Sequence, residues 1–399
     1  MTAPSRNEKA PVFSAGLGED ACRWQSLLEN CSHRPIRQEL SETKTPLRGK
    51  RVLITGAAGW IGSALARSLA SLDLQSLVLL DSSEAGLHEI NHFLGDTAAP
   101  VNHTAVLANL CAADEILEVF DRFRPEVVFH AAALKHVPLM ETNPLAVLKT
   151  NALGTRTLVE AAEKFGSGQL VLLSTDKAVD PHSLMGASKR IAELILLTSP
   201  PASALRRNIV RLGNVLGSSG SVVPLFLRQI ARGGPVTVSD PEASRYFMML
   251  PEAVEALLTA TLPDRPEKLL VPNLGNPIRI VDLARYLIAE HRSQLDASQQ
   301  NIVIPISFTS LRPGDKMEES LISTRESYLD APQNALRAVS SPALPDEQLA
   351  HGMNQLKQAV EQHNLPLLLD AVRFLVPEYQ PSTTLLQHIN ACSITPEVA

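Results

Sequence analysis

The sequence predicts an α/β protein: one doubly wound parallel sheet with a smaller C-terminal lobe. Three observations carry this expectation. From about Arg51, short β-branched runs alternate with longer stretches of helical period, the rhythm of strands joined by crossover helices. A glycine-rich turn, Thr55-Gly56-Ala57-Ala58-Gly59-Trp60-Ile61-Gly62, follows the first run and opens a helical pattern. After Asn214 the rhythm breaks into loops rich in Gly, Ser and Pro, which suits a lobe closing over the mouth of the sheet.

Taken in order, residues 1–50 are polar and rich in turn formers, with one short apolar helical stretch from Trp24 to Leu28. They form an extension and linker packed on or trailing from the core. Strands are expected at Val52–Thr55, Leu77–Leu80, Thr104–Leu107, Glu126–His130, Leu170–Ser174 and Ile209–Leu212, and the apolar run Leu269–Val271 supplies one more. The expected division is a wound-sheet domain over 51–215 with a returning strand near 269–272, a substrate lobe over 216–335, and a helical segment over 336–399. Two amphipathic helical patterns fill residues 344–375, the first opened by Pro345-Asp346.

Composition excludes several classes. A chain of 399 residues with 45% hydrophobic and 20% charged residues is ordinary for a globular enzyme with a large core. A net charge of -6 and a pI near 6.0 offer no basic footprint for nucleic acid. The start, MTAPSRNEKAP, lacks the order of a signal peptide, and no apolar run reaches the about 18 residues of a membrane span. We expect a cytoplasmic protein without a span, and a homo-oligomer. Cys22, Cys31, Cys111 and Cys392 stand isolated, without ligand spacing, so reduced thiols and no metal site are expected.

The glycine turn sits where a dinucleotide fingerprint must sit. Gly56 permits the tight turn, Gly59 lets backbone approach a pyrophosphate, and Gly62 lets helix and strand pack closely. Ala58, Trp60 and Ile61 complete the cradle, although Trp60 is large for this place and either crowds or covers the phosphates. Asp81 ends the second strand and can accept hydrogen bonds from a ribose diol. Ser82 follows it, so nothing adjacent pairs with a 2′-phosphate, and NAD is favoured over NADP. Ala131 and Ala132, after the fourth strand, either underlie the cofactor or serve only close packing.

The stretch Ser174-Thr175-Asp176-Lys177-Ala178-Val179-Asp180-Pro181-His182-Ser183-Leu184-Met185-Gly186-Ala187-Ser188-Lys189 puts a carboxylic acid and an amine at the end of a strand. Catalytic groups of such sheets collect there. Asp176 and Lys177 can serve as proton donor and acceptor if burial or neighbouring charge tunes them; a polar loop would read the same way in isolation. Lys189 shares a helical face with Met185, four residues earlier.

Seven ordered blocks carry a resemblance: TGAAGWIGS at 55–63, HAAALKHVPLMETNP at 130–144, STDKAVDPHSLMGASKR at 174–190, RLGNVLGSSGSVVPLF at 211–226, SRYFM at 244–248, LRPGDKMEESL at 311–321 and LVPEYQPS at 375–382. Through these the chain resembles the UDP-N-acetylglucosamine 4,6-dehydratases, the capsular-polysaccharide branch of the extended short-chain dehydrogenase/reductase superfamily. That superfamily carries Tyr-x-x-x-Lys where this chain has Met185 and Lys189; the larger members of the branch resemble this chain in having Met. Those members also carry membrane helices before a short linker that HRPIRQEL at 33–40 resembles, so the expectation is a form that keeps the linker without the membrane part.

The resemblance implies a Rossmann-type fold and a UDP-sugar substrate. It implies Lys177 as the base at sugar C5, Asp176 as the acid at the C6 hydroxyl, Thr175 at the C4 oxygen, and Lys189 at the nicotinamide ribose. Asn109 stands where relatives place an acidic residue against the adenine amine, and its carbonyl can accept that bond. Asn214, Ser219 and Arg312 are expected at the UDP diphosphate, with Lys135 a further substrate contact. Arg245 is a candidate for the same anion, and a core-edge arginine fits its position equally well. His130 and His136 are expected to be structural. A C4 epimerase or ketoreductase, which needs no acid and base at C5 and C6, and a dinucleotide sensor without chemistry are the competing readings.

Overall fold

The structure, a computed structural model, describes residue 28 and residues 45–96, 101–198, 203–218, 220–263, 268–295, 302–330 and 335–394. The stretch 33–40, Ser219, Cys22 and Cys31 lie outside the described residues, and Cys111 is a free thiol. Six strands form the centre: β1 (Arg51–Thr55), β2 (Ser76–Asp81), β3 (His103–Leu107), β4 (Val127–His130), β5 (Gln169–Thr175) and β6 (Arg206–Leu212). They are followed by β7 (Asn214–Val215), β8 (Val236–Val238), β9 (Ser244–Arg245), β10 (Phe247–Met248), β11 (Leu269–Pro272), β12 (Ile278–Arg279), β13 (Ile306–Phe308), β14 (Ser327–Tyr328) and β15 (Leu336–Ser340).

Nine of these make one sheet in the order β14-β15-β11-β6-β5-β4-β1-β2-β3. From β3 to β11 every pairing is parallel, and β15 and β14 close the far edge antiparallel. Every residue of β4 and β11 is buried, because helices cover both faces, and that is why these strands read as continuous apolar runs in the sequence. The order reverses between β1 and β4, which opens a crevice at the carboxyl ends of the strands. Thr55, His130 and Thr175 end the strands that meet there.

Helices α1 (Trp60–Ala70), α2 (Glu84–Gly95) and α3 (Ala113–Phe123) follow the first three strands; α4 (Val137–Glu141), α5 (Pro144–Leu148), α6 (Gly154–Lys164) and α7 (Leu184–Leu197) surround the next two. α8 (Val222–Ala231), α9 (Leu250–Thr259) and α10 (Ile280–Ser293) come next. α11 (Asp346–Glu361) and α12 (Leu365–Leu375) match the two expected amphipathic patterns, and α13 (Thr383–Ile394) is a further helix.

One core lies between the sheet and α3 to α7 with α11 and α12, built around Phe120, Leu158, Ile191, Leu356 and Val372. A second covers the opposite face around Leu65, Leu69 and Leu257. A third joins α8 and α10 through Phe226, Ile230, Leu283 and Leu287, and Leu28 is buried in it, so part of the N-terminal extension packs on this lobe. Every side chain of α7 is buried, which fixes Met185 and Lys189 rigidly beneath the crevice. Its start is set twice: Ser183 Oγ accepts from Gly186 N at 3.0 Å, and the buried Glu141 accepts from Leu184 N at 2.7 Å.

One element differs from expectation. The stretch Leu336–Ser340 falls in the segment expected to be helical and is instead β15 of the main sheet, paired with β11 from Leu336↔Pro272 to Leu269↔Val339. Its pattern, Leu-Arg-Ala-Val-Ser, is too short to separate from a loop without its partner strand.

Candidate active site

The glycine turn runs from the end of β1 into α1, whose first-turn backbone N–H groups have no partner within the helix. Gly56 has φ +73, and a Cβ there would lie 2.5 Å from Ala132 N; a Cβ on Gly62 would lie 2.0 Å from Gly56 O. Only glycine allows this close passage of turn, helix and the strand end at Ala131-Ala132. Gly62→Ala is therefore expected to lower stability by roughly 1–3 kcal/mol or more through forced backbone movement, read as a drop in Tm on thermal unfolding.

Asp81 reaches back to this turn: Oδ2 accepts from Ala58 N at 2.9 Å and Oδ1 from Ser83 N at 3.0 Å. The carboxylate is half-buried and keeps further acceptor capacity beyond these two bonds. Asn109 is exposed, and its side-chain oxygen accepts from Cys111 N at 2.9 Å, which shapes the loop after β3. Trp60 does not fold into the turn; a Cβ on Gly217 would lie 3.3 Å from its ring, so the indole spans the crevice to the segment after β7. These residues fit a dinucleotide: a cradle that a Cβ would fill, a helix N-terminus and a carboxylate one strand away.

His130 bridges Thr55 Oγ1 at 2.7 Å and Thr155 Oγ1 at 2.9 Å. Complete burial, with Lys189 adding repulsion, pulls its pKa down to about 3, so it is a neutral strut.

At the end of β5 three side chains converge. Asp176 is fully buried, and its Oδ1 accepts from Thr175 Oγ1 at 2.9 Å and from Lys177 Nζ at 3.0 Å. Lys177 Nζ also donates to Asn214 Oδ1 at 3.1 Å, while Asn214 Nδ2 donates to Tyr246 O at 3.1 Å. Both ends of the Asn214 amide are thus engaged, and it orients Lys177. Burial alone pushes the Lys177 ammonium down, but Asp176 and Glu319 outweigh it and hold its pKa above the ordinary lysine value. Lys189 donates to Leu173 O at 2.6 Å, and burial lowers its pKa to about 8 against the opposing pull of Glu193.

Arg245 donates to the carbonyls of Ser244 at 2.7 Å, Met317 at 2.9 Å and Lys316 at 2.7 Å. It clamps the 311–321 loop over the site, the core-edge role, and its guanidinium is largely spent on backbone. Arg312 is exposed and held by Asp315 at 2.9 Å. Burial lowers the His136 pKa, with Lys135 and Arg312 adding positive charge beside it. His136 also lies against Gly220, where a Cβ would come within 2.5 Å of its ring. Lys135 and Arg312 therefore put positive charge beside a neutral His136 and the glycine-rich loop after β7, a setting for phosphate oxygens.

Glu319, outside the expected site residues, is buried, and its charge acts on Lys177. Its signal was its place in the LRPGDKMEESL block, but two adjacent glutamates, Glu318 and Glu319, look alike in sequence and only the second is buried. Among the described residues no His, Cys, Asp and Glu cluster can hold a metal ion, and no helix is long and apolar enough to cross a membrane.

A parallel sheet in this order, a glycine turn under its crevice and a lysine on a buried helix beside the fifth strand define an extended short-chain dehydrogenase/reductase. The chain belongs to the polysaccharide biosynthesis protein family, which matches residues 52–340. It is 40% identical over 294 residues to the capsular polysaccharide biosynthesis protein CapD of Staphylococcus aureus, covering 73% of this chain and 48% of CapD. The chain thus spans about half the length of that relative. Among solved structures it is similar to Pen from Bacillus thuringiensis, with a TM-score of 0.66 and 26% identity over 77% of this chain and 98% of Pen. The UDP-glucose 4-epimerase of Thermus thermophilus in complex with NAD shares the fold, with a TM-score of 0.55 and 24% identity over 68% of this chain and 90% of that one.

Proposed function

We propose that this protein is a nucleotide-sugar 4,6-dehydratase acting on a UDP-N-acetylhexosamine, UDP-N-acetylglucosamine foremost, with NAD as a recycled cofactor. The observation that carries the reading is the contact between Asp176 and Lys177 at 3.0 Å, an acid and an amine set side by side at the mouth of the sheet. Elimination across C5–C6 needs both groups, and an epimerase or ketoreductase needs neither.

Gly56, Ala58, Gly59, Trp60, Ile61, Gly62 and Asp81 would hold the pyrophosphate and ribose of NAD. Asn109 would line its adenine end, and Ala131 and Ala132 would underlie it. NAD held there would supply the reversible hydride acceptor that the chemistry at C4 and C6 requires. Oxidation at C4 acidifies the C5 proton beside the new ketone; a proton passing from Lys177 to Asp176 across their 3.0 Å contact leaves an amine that takes the C5 proton and an acid that protonates the leaving C6 hydroxyl. The proton lost from the C4 hydroxyl restores the pair after Lys177 gives its own back to C5. Thr175 donates to the C4 oxygen, and Lys189 orients the nicotinamide ribose from α7. Lys135, Arg312 and the loop containing Ser219 bind the UDP diphosphate, while Asn214 keeps Lys177 aimed. Met185 is buried in the first core and packs, which fits a reaction whose acid and base come from β5.

Incubating the protein with a panel of UDP-sugars and weighing the products is the test. The expected product has lost one water with no net consumption of NAD. Stoichiometric NADH without dehydration, or an isomer of unchanged mass, would replace this reading with a ketoreductase or epimerase.

A further inference from the structure

We propose that Trp60 bars the mouth of the dinucleotide crevice, so that the cofactor enters and leaves slowly and stays on the protein between the oxidation at C4 and the reduction at C6. The proposal rests on the dinucleotide site of the reading above and adds what controls exchange there.

The placement starts from the sequence. Trp60 is the first residue of α1 and stands inside the glycine turn, between Gly59 and Gly62. The Cα–Cβ bond of a helical residue tilts toward the helix N-terminus, so this side chain projects over the start of α1. The first-turn N–H groups there are the ones a pyrophosphate would meet. The far edge of the ring reaches the other lobe: a Cβ on Gly217 would lie 3.3 Å from Cζ2 and 3.9 Å from Cη2 of the indole. Gly217 belongs to that lobe, because Leu216 just before it is buried in the third core with Val223 and Phe226.

A second ring meets the same loop. His136 lies between β4 and α4, where a Cβ on Gly220 would come within 2.5 Å of its ring. Strands β1 and β4 flank the crevice, and Trp60 follows the first while His136 follows the second. One loop is thus met by a ring from each side of the crevice. Gly217 and Gly220 both have positive φ, +76 and +72, and without side chains they let the loop come down onto both rings.

The tryptophan contributes little to the fold. It is 38% exposed and belongs to none of the three cores. Among the described residues its indole N–H has no protein acceptor, and no hydrogen bond joins either ring to the loop. The closure is apolar contact alone, enough to slow passage and free to open without breaking a polar bond.

The chemistry gives such a bar its use. Escape of the reduced cofactor after oxidation would strand a 4-keto sugar with no hydride to complete the reaction. A recycling enzyme needs no fast exchange, and a bar over the mouth makes exchange slow.

The test uses the full chain, freed of nucleotide, with NADH as the probe and no sugar present. Stopped-flow fluorescence gives the association rate on mixing with NADH and the release rate on chasing with excess NAD, for the wild type, Trp60→Phe and Trp60→Ser. Trp60→Ser is expected to release NADH about 10-fold faster or more and to bind it faster by a similar factor, so that Kd moves by less than about 3-fold. Trp60→Phe is expected to fall between the two. Because the ring lies outside the cores, Trp60→Ser is expected to keep the wild-type Tm.

An unchanged release rate overturns the proposal. Faster release at an unchanged association rate also overturns it and makes the ring an ordinary contact. Slower release from Trp60→Ser does the same and makes the ring an obstruction to the phosphates. A wild-type protein that binds no NADH removes the dinucleotide site and the bar together. These rates involve no sugar: if they behave as expected and no UDP-sugar is dehydrated, the bar stands and the dehydratase reading falls.

Discussion

Lys177→Ala and Asp176→Asn are each expected to stop water loss while leaving C4 oxidation in place, so that enzyme-bound NADH accumulates on mixing with the sugar nucleotide. Each removes one positioned proton-transfer group, which slows turnover by about 10²–10⁴-fold, or roughly 3–5 kcal/mol of barrier. Asp176→Asn also removes the charge that holds Lys177, since the two are in contact at 3.0 Å. Lys189→Ala is expected to give no NADH signal at all, because its ammonium, bonded to Leu173 O beneath the crevice, orients the cofactor before any hydride moves. Rapid-scan absorbance of reduced nicotinamide separates these roles. Silence from both Asp176 and Lys177 variants, with normal folding and sugar binding, would assign the pair to the oxidation step.

Arg211→Met is expected to destabilise the protein by about 3–5 kcal/mol, read as a large fall in the midpoint of urea unfolding. Arg211 is fully buried on β6. It meets Glu326 at 2.6 and 2.8 Å and Glu193 at 2.8 and 2.7 Å, a double bidentate arrangement. Arg190 donates to Glu193 at 3.0 Å, so two cations balance two carboxylates. Removing Arg211 leaves two buried carboxylates with Arg190 as the nearest cation, and the desolvation already spent on them is no longer repaid.

The network reaches the site: Glu193 accepts from Ser174 Oγ at 2.7 Å, one residue before Thr175. It also ties β14 and β15 to the sheet through Glu326 and Ser341, which bond to each other at 2.6 Å. Burial pushes the Glu326 pKa up, but the Arg211 contacts outweigh it and hold the carboxyl at about 2, below the ordinary glutamate value of about 4.5. The unfolded state therefore binds more protons between these values. The Glu326 contribution is full above about pH 4.5 and is lost as pH falls toward 2. Arg211→Met should flatten that part of the acid-unfolding curve.

By itself the sequence determined what local pattern can encode. Parallel strands buried on both faces are apolar runs, so the seven expected strands coincide with β1 to β6 and β11 within a few residues. A turn that admits only glycine announces itself, and so does an acid beside an amine at a strand end. Tertiary structure alone decided what those groups meet. Asn214 and Arg245 look free for an anion in sequence, yet folding brings the first to Lys177 and Tyr246 and spends the second on three carbonyls from distant or adjacent chain. Arg211, Glu193 and Glu326 are 18 and 115 residues apart along the chain from one another's contacts, and no spacing rule joins them. Glu318 and Glu319 are neighbours of one chemistry, and the pinning of one loop by Arg245 and Lys316 decides which is buried. Charge and polarity are properties of a residue, whereas burial and partnership belong to the whole fold, and the acid–base character of this site depends on the second.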